Sequence, residues 1–373
     1  MKNRLTEVAT LFFKLGCIAF GGPAAHVAMM EKEIVEDRQW MTRQHFLDLM
    51  GATNLIPGPN STEMTMHCGY ERAGWAGLFV AGICFIFPAV VITGILAALY
   101  VQYGTLPEVQ PFIYGIKPAV LAIILGAVVK LGKKAVKNTE LLIIGLLTLG
   151  ASLAGMSEVL ALLLLGGLGT VYFSLKSWRS DNLSVGVPFL FMPFFSWMSV
   201  QLSSLKIGLI FLKVGAILYG SGYVLFAYLD AELVMNELLT RQELIDAIAV
   251  GQFTPGPVLS TSTFIGYQMN GVSGAIAATV GIFLPSFLFV LLLNPWIPKM
   301  RQSKILSYFL DSVNVAAVAV MVSVLFSMGM EVLTDWRNIL ICVLSLLANF
   351  QLKWNAMWIV FGGALLGALL NFV

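Results

Sequence analysis

The chain has 373 residues, 58% of them hydrophobic and only 11% charged, with a formal net charge of +2. Soluble domains carry roughly twice that share of charge to keep their surfaces wet, so these totals exclude a water-soluble enzyme and point to a polytopic membrane protein surrounded by lipid. The small net charge argues against a nucleic-acid partner, and Cys17, Cys68, Cys84 and Cys342 stand singly, without the spacing of a metal site or a disulfide framework.

Residues 1–10 lack the pattern of a secretory signal, so the first apolar segment is expected to remain in the protein. Two weak segments follow, 11–30 and 46–68, interrupted by Gly21-Gly22-Pro23 and Pro57-Gly58-Pro59. Uncharged stretches long enough to cross the hydrocarbon, or nearly so, then run over 73–107, 141–157, 159–176, 182–205, 247–298, 312–330, 338–352 and 354–373. Residues 112–129 add another that contains Lys117. The stretch 247–298 is too long and too rich in Gly and Pro for one helix, and is read as a broken element followed by a full span. Backbone broken at membrane depth must be buried in protein or line a wet cavity, which is a helix-bundle carrier or channel signature and excludes a strand barrel.

The sequence also matches itself. Phe12-Phe13-Lys14-Leu15-Gly16 corresponds to Phe211-Leu212-Lys213-Val214-Gly215, Gly21 and Gly22 fall on Gly220 and Ser221, and Thr42-Arg43-Gln44 with Asp48 falls on Thr240-Arg241-Gln242 with Asp246. Pro57-Gly58-Pro59 then meets Pro255-Gly256-Pro257, and Pro88 meets Pro285, all in one order at nearly constant spacing. The expected fold is therefore an all-α polytopic membrane protein of two homologous repeats with Gly/Pro-broken helices: 1–180, a linking transmembrane segment 181–204, and 205–373. The loop 104–110 has no basic residue and the next carries Lys130, Lys133, Lys134 and Lys137, whereas the second copy has Lys299, Arg301 and Lys304 in the first equivalent loop and only Arg337 in the second. Lys/Arg-rich loops face the cytoplasm, so the two repeats are expected to be inverted, with a cytoplasmic N-terminus. Inverted repeats are the usual construction of alternating-access carriers.

Each break is a candidate part of the substrate site. Gly21, Gly22 and Pro23, like Gly220, Ser221 and Gly222, remove side chains where elements approach closely or where free amides meet an anion. Close helix packing through small residues is the plainer alternative. Two prolines one residue apart force a helix to restart, and a restarting helix offers orphan N–H groups and the positive end of its dipole. Asn60, Ser61, Thr62, Ser260 and Thr261 follow Pro57-Gly58-Pro59 and Pro255-Gly256-Pro257 as neutral donors, or else merely cap the new helices, and Asn54, Gln252 and Thr254 before the two turns join the expected substrate site. Lys14 and Lys213 share a repeat position and Lys117 lies where the second repeat has Asn314. Such cations balance a divalent anion if they face the cavity, or snorkel to an interface if they do not. His26 and Glu63 are the candidates for proton coupling. The charged segments 31–48 and 230–246 read as wet connecting elements.

Phe20-Gly21-Gly22-Pro23-Ala24-Ala25-His26 followed by Glu33 and Trp40, with Thr254-Pro255-Gly256-Pro257 and Thr263-Phe264-Ile265-Gly266-Tyr267, resembles the chromate transporter family. The resemblance covers both halves. It implies a multi-pass protein of the bacterial inner membrane that exports chromate under the proton-motive force. Sulfate is the geometric analogue, lipid and protons are the remaining partners, and a homodimer is left open. Import or exchange of sulfate on the same scaffold is the rival reading, an anion channel the lesser one, and catalysis is not implied. Two departures stand out: Glu63 occupies a position where Gln is usual, and Tyr219-Gly220-Ser221-Gly222-Tyr223 stands where Phe-Gly-Gly-Gly-Tyr is usual. A carboxylate there repels a dianion unless it is protonated or paired.

Overall fold

The computed structural model describes residues 2–20, 22–178, 203–219, 222–293 and 303–371. The expected linking segment 181–204 lies almost wholly outside these residues, as do Gly21, Gly220, Ser221, Lys299 and Arg301. Within the described residues every regular element is a helix, and five are long and apolar enough to cross a membrane.

In the first half, α1 (Lys2–Ile18) ends at a break, and α2 (Pro23–Glu31) continues into a π-helical turn, Lys32–Asp37. This arm runs back along α1. Lys14 meets Glu33 at 2.5 Å, and Arg72, which bonds Glu7 near the start of α1, also lies over the ring of Trp40. After α3 (Arg43–Thr53) the Pro-Gly-Pro break leads into α4 (Asn60–Tyr103). A straight helix of its 44 residues would be about 66 Å long, twice what a bilayer requires. It is not straight. Ala73 and Gly74 leave helical geometry, Gly74 at φ 66°, and a Cβ on Gly69 would stand 2.4 Å from the Gly77 carbonyl oxygen. Residues eight apart touch in this way only when the chain doubles back, so 60–72 is a short descending arm and 75–103 a full span. Glycines at both crossing points let the two backbones approach that closely.

The first half closes with α5 (Gln110–Ala135), α6 (Thr139–Leu153) and α7 (Glu158–Trp178). Asn138 caps α6 by accepting from the Leu141 N–H.

The second half repeats this order. It comprises α8 (Ser204–Ile217), a break, α9 (Leu225–Leu229), a π-helical turn (Asp230–Val234), α10 (Arg241–Phe253), the second Pro-Gly-Pro break and α11 (Thr261–Leu293). The fold-back recurs at Asn270 and Gly271, Gly271 at φ 56°, with Gly266 against Gly274. Then come α12 (Lys304–Val332), α13 (Trp336–Phe350) and α14 (Ala356–Leu370). Thus the described part of 247–298, up to residue 293, is, as expected, a broken element and then a long helix.

The halves exchange partners. α4 packs on α11, α5 lies against α13 and α14, and α12 lies against α6 and α7. Close contact at these crossings is again made by small residues, Gly115 of α5 meeting Gly363 and Gly367 of α14. The cover is uneven. α9 and α10 are enclosed by contacts with α4, α5, α7, α12 and α14, whereas the principal partners of α2 and α3 are α1 and α4. The segment 230–246, read from sequence as wet, is therefore buried at its acidic residues Asp230, Glu232 and Asp246, while 235–237 and Thr240 stay exposed.

Candidate functional site

The breaks of one half are stitched to the breaks of the other. The Gly58 N–H donates to the Leu218 carbonyl at 2.7 Å, and the Gly256 N–H donates to the Ala19 carbonyl at 2.8 Å. Both bonds join the glycine of a Pro-Gly-Pro turn to the residue just before the opposite Gly-rich break. Each glycine sits at positive φ, 141° for Gly58 and 85° for Gly256, where a side chain is strained. The flanking prolines supply no N–H, so at each turn the glycine alone can make this bond.

Beyond the joints the chain restarts with bare ends. Pro59 precedes α4 and Pro257 precedes the 3-10 turn Val258–Ser260, and neither start has a side-chain cap. Asn60 and Ser61 therefore do not cap the new helix. Asn60 instead donates to Asn54 at 2.6 Å, and Asn54 to the Met50 carbonyl. In the second half Ser260 lies buried against Thr93 of α4, and Thr254 bonds the Gly251 carbonyl. Gln252 is buried and its Nε2 donor has no partner. Gly22, at φ 81°, precedes Pro23 at the start of α2, again without a side-chain cap, and Gly222 is buried near Leu259. Starts without side-chain caps at α2, α4 and the Val258–Ser260 turn, with the unpartnered buried donor of Gln252, thus lie around the two joints.

The titratable candidates flank the two joints. Glu63 is fully buried, both its carboxyl oxygens lack hydrogen-bond partners, and Oε1 would lie 2.2 Å from a Cβ on Gly58. His26 is buried with its ring edge toward Phe85, 5.7 Å between centroids, near the Ala19 carbonyl of the other joint.

The lysines are placed differently from the sequence expectation of cations turned to the anion. Lys213 bonds Glu232 at 2.6 Å, just as Lys14 bonds Glu33. The Lys14 hydrogen bond, with Arg38 beside it, holds the Glu33 carboxyl below the usual carboxylate range. Lys117 donates to Gln242 at 2.8 Å and lies 3.6 Å from Asp246, which also accepts from the Tyr100 hydroxyl at 2.6 Å. Lys117 is thus part of a clasp between α5 and α10. Tyr100 and Asp246 line an otherwise apolar cavity of about 260 Å³ with Leu96, Ile116, Phe253 and Phe361.

Sequence reading missed Ser286, whose buried and unpartnered hydroxyl faces Gly58. The signal was present: Pro88-Ala89 in one repeat stands against Pro285-Ser286 in the other.

Residues 6–171 and 205–368 each match the family described as Chromate transporter. The chain belongs to the chromate transporter family. It is 31% identical to a protein of Synechococcus elongatus named as a probable chromate transport protein, covering 93% of this chain and 90% of that one. It is also 31% identical to a chromate transport protein of Cupriavidus metallidurans, over 97% and 92% of the two chains. An uncharacterized transporter of Bacillus subtilis is half the size: at 23% identity it covers 43% of this chain but 94% of its own. No solved structure matches. The relatives' names are those of transporters, and the five long apolar helices fit a multi-pass membrane member of that family.

Proposed function

We propose that the protein is an alternating-access carrier that moves chromate, or a closely similar tetrahedral dianion, out of the cytoplasm across a bacterial inner membrane, coupled to protons. The observation that carries this reading is the reciprocal joint: two broken helices from each half meet, each backbone bonded to the other's, with bare helix starts around them. A dianion held there needs no lysine of its own, because orphan amides and helix dipoles supply the positive field. His26 and Glu63, one at each joint, are the groups that take the coupling proton.

Contacts along the chain support inversion of the halves. Glu7 and Arg72 put the start of α1 beside the first fold-back, and the arm 75–103 then carries the chain about 43 Å to the other face. α5 returns it to Lys137, which bonds Asp311 near the start of α12. The start of α8 meets the second fold-back through Ser204 and Asn270, and the arm 272–293 runs about 33 Å from there toward the α12 side. Equivalent turns thus fall on opposite faces. Lys130, Lys133, Lys134 and Lys137 mark the α1 face as cytoplasmic. The thinly covered α2 and α3 lie on that face and the clasped α10 on the other, as in a carrier open to the cytoplasm.

The test is uptake of radiolabelled chromate and sulfate into everted membrane vesicles containing the protein, with and without an imposed proton gradient. Accumulation that collapses with an uncoupler and is competed by sulfate is expected. Vesicles that contain the protein and accumulate neither anion would contradict the reading.

A further inference from the structure

Glu63 is the fourth residue of the helix that restarts at Asn60, within one turn of the bare amides of Asn60 and Ser61. Its carboxyl oxygens are enclosed and unpartnered, and so is the Ser286 hydroxyl brought to it by α11. Glu63 Oε1 and Ser286 Oγ both fall within 2.5 Å of the point a Gly58 Cβ would occupy, so the two groups share the space that the glycine leaves open. The titratable groups that face this carboxyl are Tyr219, from the break of the second half, and His67, one turn along its own helix. The three lysines that the sequence singles out are engaged elsewhere: Lys14 on Glu33, Lys213 on Glu232, Lys117 on Gln242 and Asp246.

A carboxylate enclosed without a cation is costly, and the neutral acid is the form such an enclosure favours. The other joint has no equivalent. Thr261 stands at the position of Glu63, its hydroxyl bonded to the Val258 carbonyl, and Ala89 stands at the position of Ser286. Only the Gly58 joint therefore holds a carboxyl that can keep a proton enclosed beside the anion.

Resting on the anion reading above, we propose that Glu63, with Ser286 beside it, holds a proton that travels with the anion, so that the dianion crosses as a one-proton complex. Proton and anion then reinforce each other's binding. A dianion at the Asn60 and Ser61 amides repels an ionised Glu63, protonation removes that repulsion, and linkage makes the effect reciprocal. The charge balance follows: two negative charges plus one proton leave one net negative charge moved per anion, so in outward movement the membrane potential, negative inside, drives one charge instead of two while the proton is carried against its own gradient.

The experiment measures sulfate affinity of the purified full-length protein between about pH 5 and pH 10, since sulfate stays a dianion over that range. In the wild type the affinity is expected to be flat at low pH and to fall by about tenfold per pH unit once Glu63 ionises. Glu63→Gln should bind as tightly as the low-pH wild type at every pH, and Glu63→Asp should restore the slope at a displaced pH. In proteoliposomes, the charge moved per sulfate should rise from about one to about two in Glu63→Gln. An unchanged slope in Glu63→Gln, or pH-independent binding by the wild type, overturns the proton assignment and leaves the carrier standing. Absence of sulfate and chromate binding in both proteins overturns the anion reading and this assignment with it.

Discussion

In the first half Lys14 reaches Glu33 at 2.5 Å and Arg43 reaches Glu31 at 2.8 Å; in the second Lys213 reaches Glu232 at 2.6 Å and Arg241 reaches Asp230 at 2.9 Å. These pairs occupy equivalent positions and tie each returning arm to α1 or α8 and to the helix before the Pro-Gly-Pro turn. Glu63, His26, Ser286 and Lys117 behave otherwise, with Thr261, Leu225, Ala89 and Asn314 in their places. What is duplicated holds the breaks open in the right geometry. What is not duplicated makes the two joints chemically unequal.

The joints themselves are the most sensitive place to break this symmetry. Gly58→Ala puts a methyl group into Glu63 and Ser286 at positive φ, and Gly256→Ala puts one 2.9 Å from the Ala89 Cβ, also at positive φ. Strain of about 1–3 kcal/mol at each is expected to reduce transport per inserted molecule by roughly tenfold or more. Gly58→Ala should be the worse of the two. Equal transport by wild type and both variants, normalised to membrane content, would remove the joints from the mechanism.

The duplicated arginines give the next contrast. Arg241 is 19% exposed and its partner Asp230 only 2%, against 75% and 24% for Arg43 and Glu31. Arg241→Ala strands a buried carboxylate and should cost about 3–5 kcal/mol, whereas Arg43→Ala should cost about 0–1 kcal/mol. Thermal unfolding in detergent reads the difference, and equal shifts would mean that the two returning arms are equally covered in solution.

The smallest effect is expected at the clasp. Lys117→Asn copies the second-half residue onto the first and releases Asp246 and Gln242. Single-cysteine labelling at Ala249 from the non-cytoplasmic face should then rise severalfold, with the anion saturation curve little changed. A large loss of affinity without a change in labelling would return Lys117 to the binding site.

Much of this was legible in the sequence because breaks are written in local chemistry. Pro57-Gly58-Pro59 and Pro255-Gly256-Pro257 cannot continue a helix, and their recurrence at constant spacing announced the repeat. The fold-backs were harder. Ala73-Gly74 opens the uncharged stretch 73–107 and Asn270-Gly271 lies beyond the Pro-Gly-Pro break within 247–298, neither carries a proline to mark a turn, and only the Gly69–Gly77 and Gly266–Gly274 contacts reveal the return. The pairing of Lys117 was hidden for a different reason. Its partner is 125 residues away in the other half, and no local pattern encodes an approach created by two repeats interlocking. Charge alone marked 31–48 and 230–246 as alike, yet the cover over the second comes from α5, α7, α12 and α14, which the segment's own sequence does not mention.

The reciprocal bonds from Gly58 to Leu218 and from Gly256 to Ala19 run between peptide groups, not side chains. A hinge of that kind is indifferent to the identity of almost every residue around it. Either half is then free to drift, acquiring a carboxyl in one and losing it in the other, without the partner having to change in step.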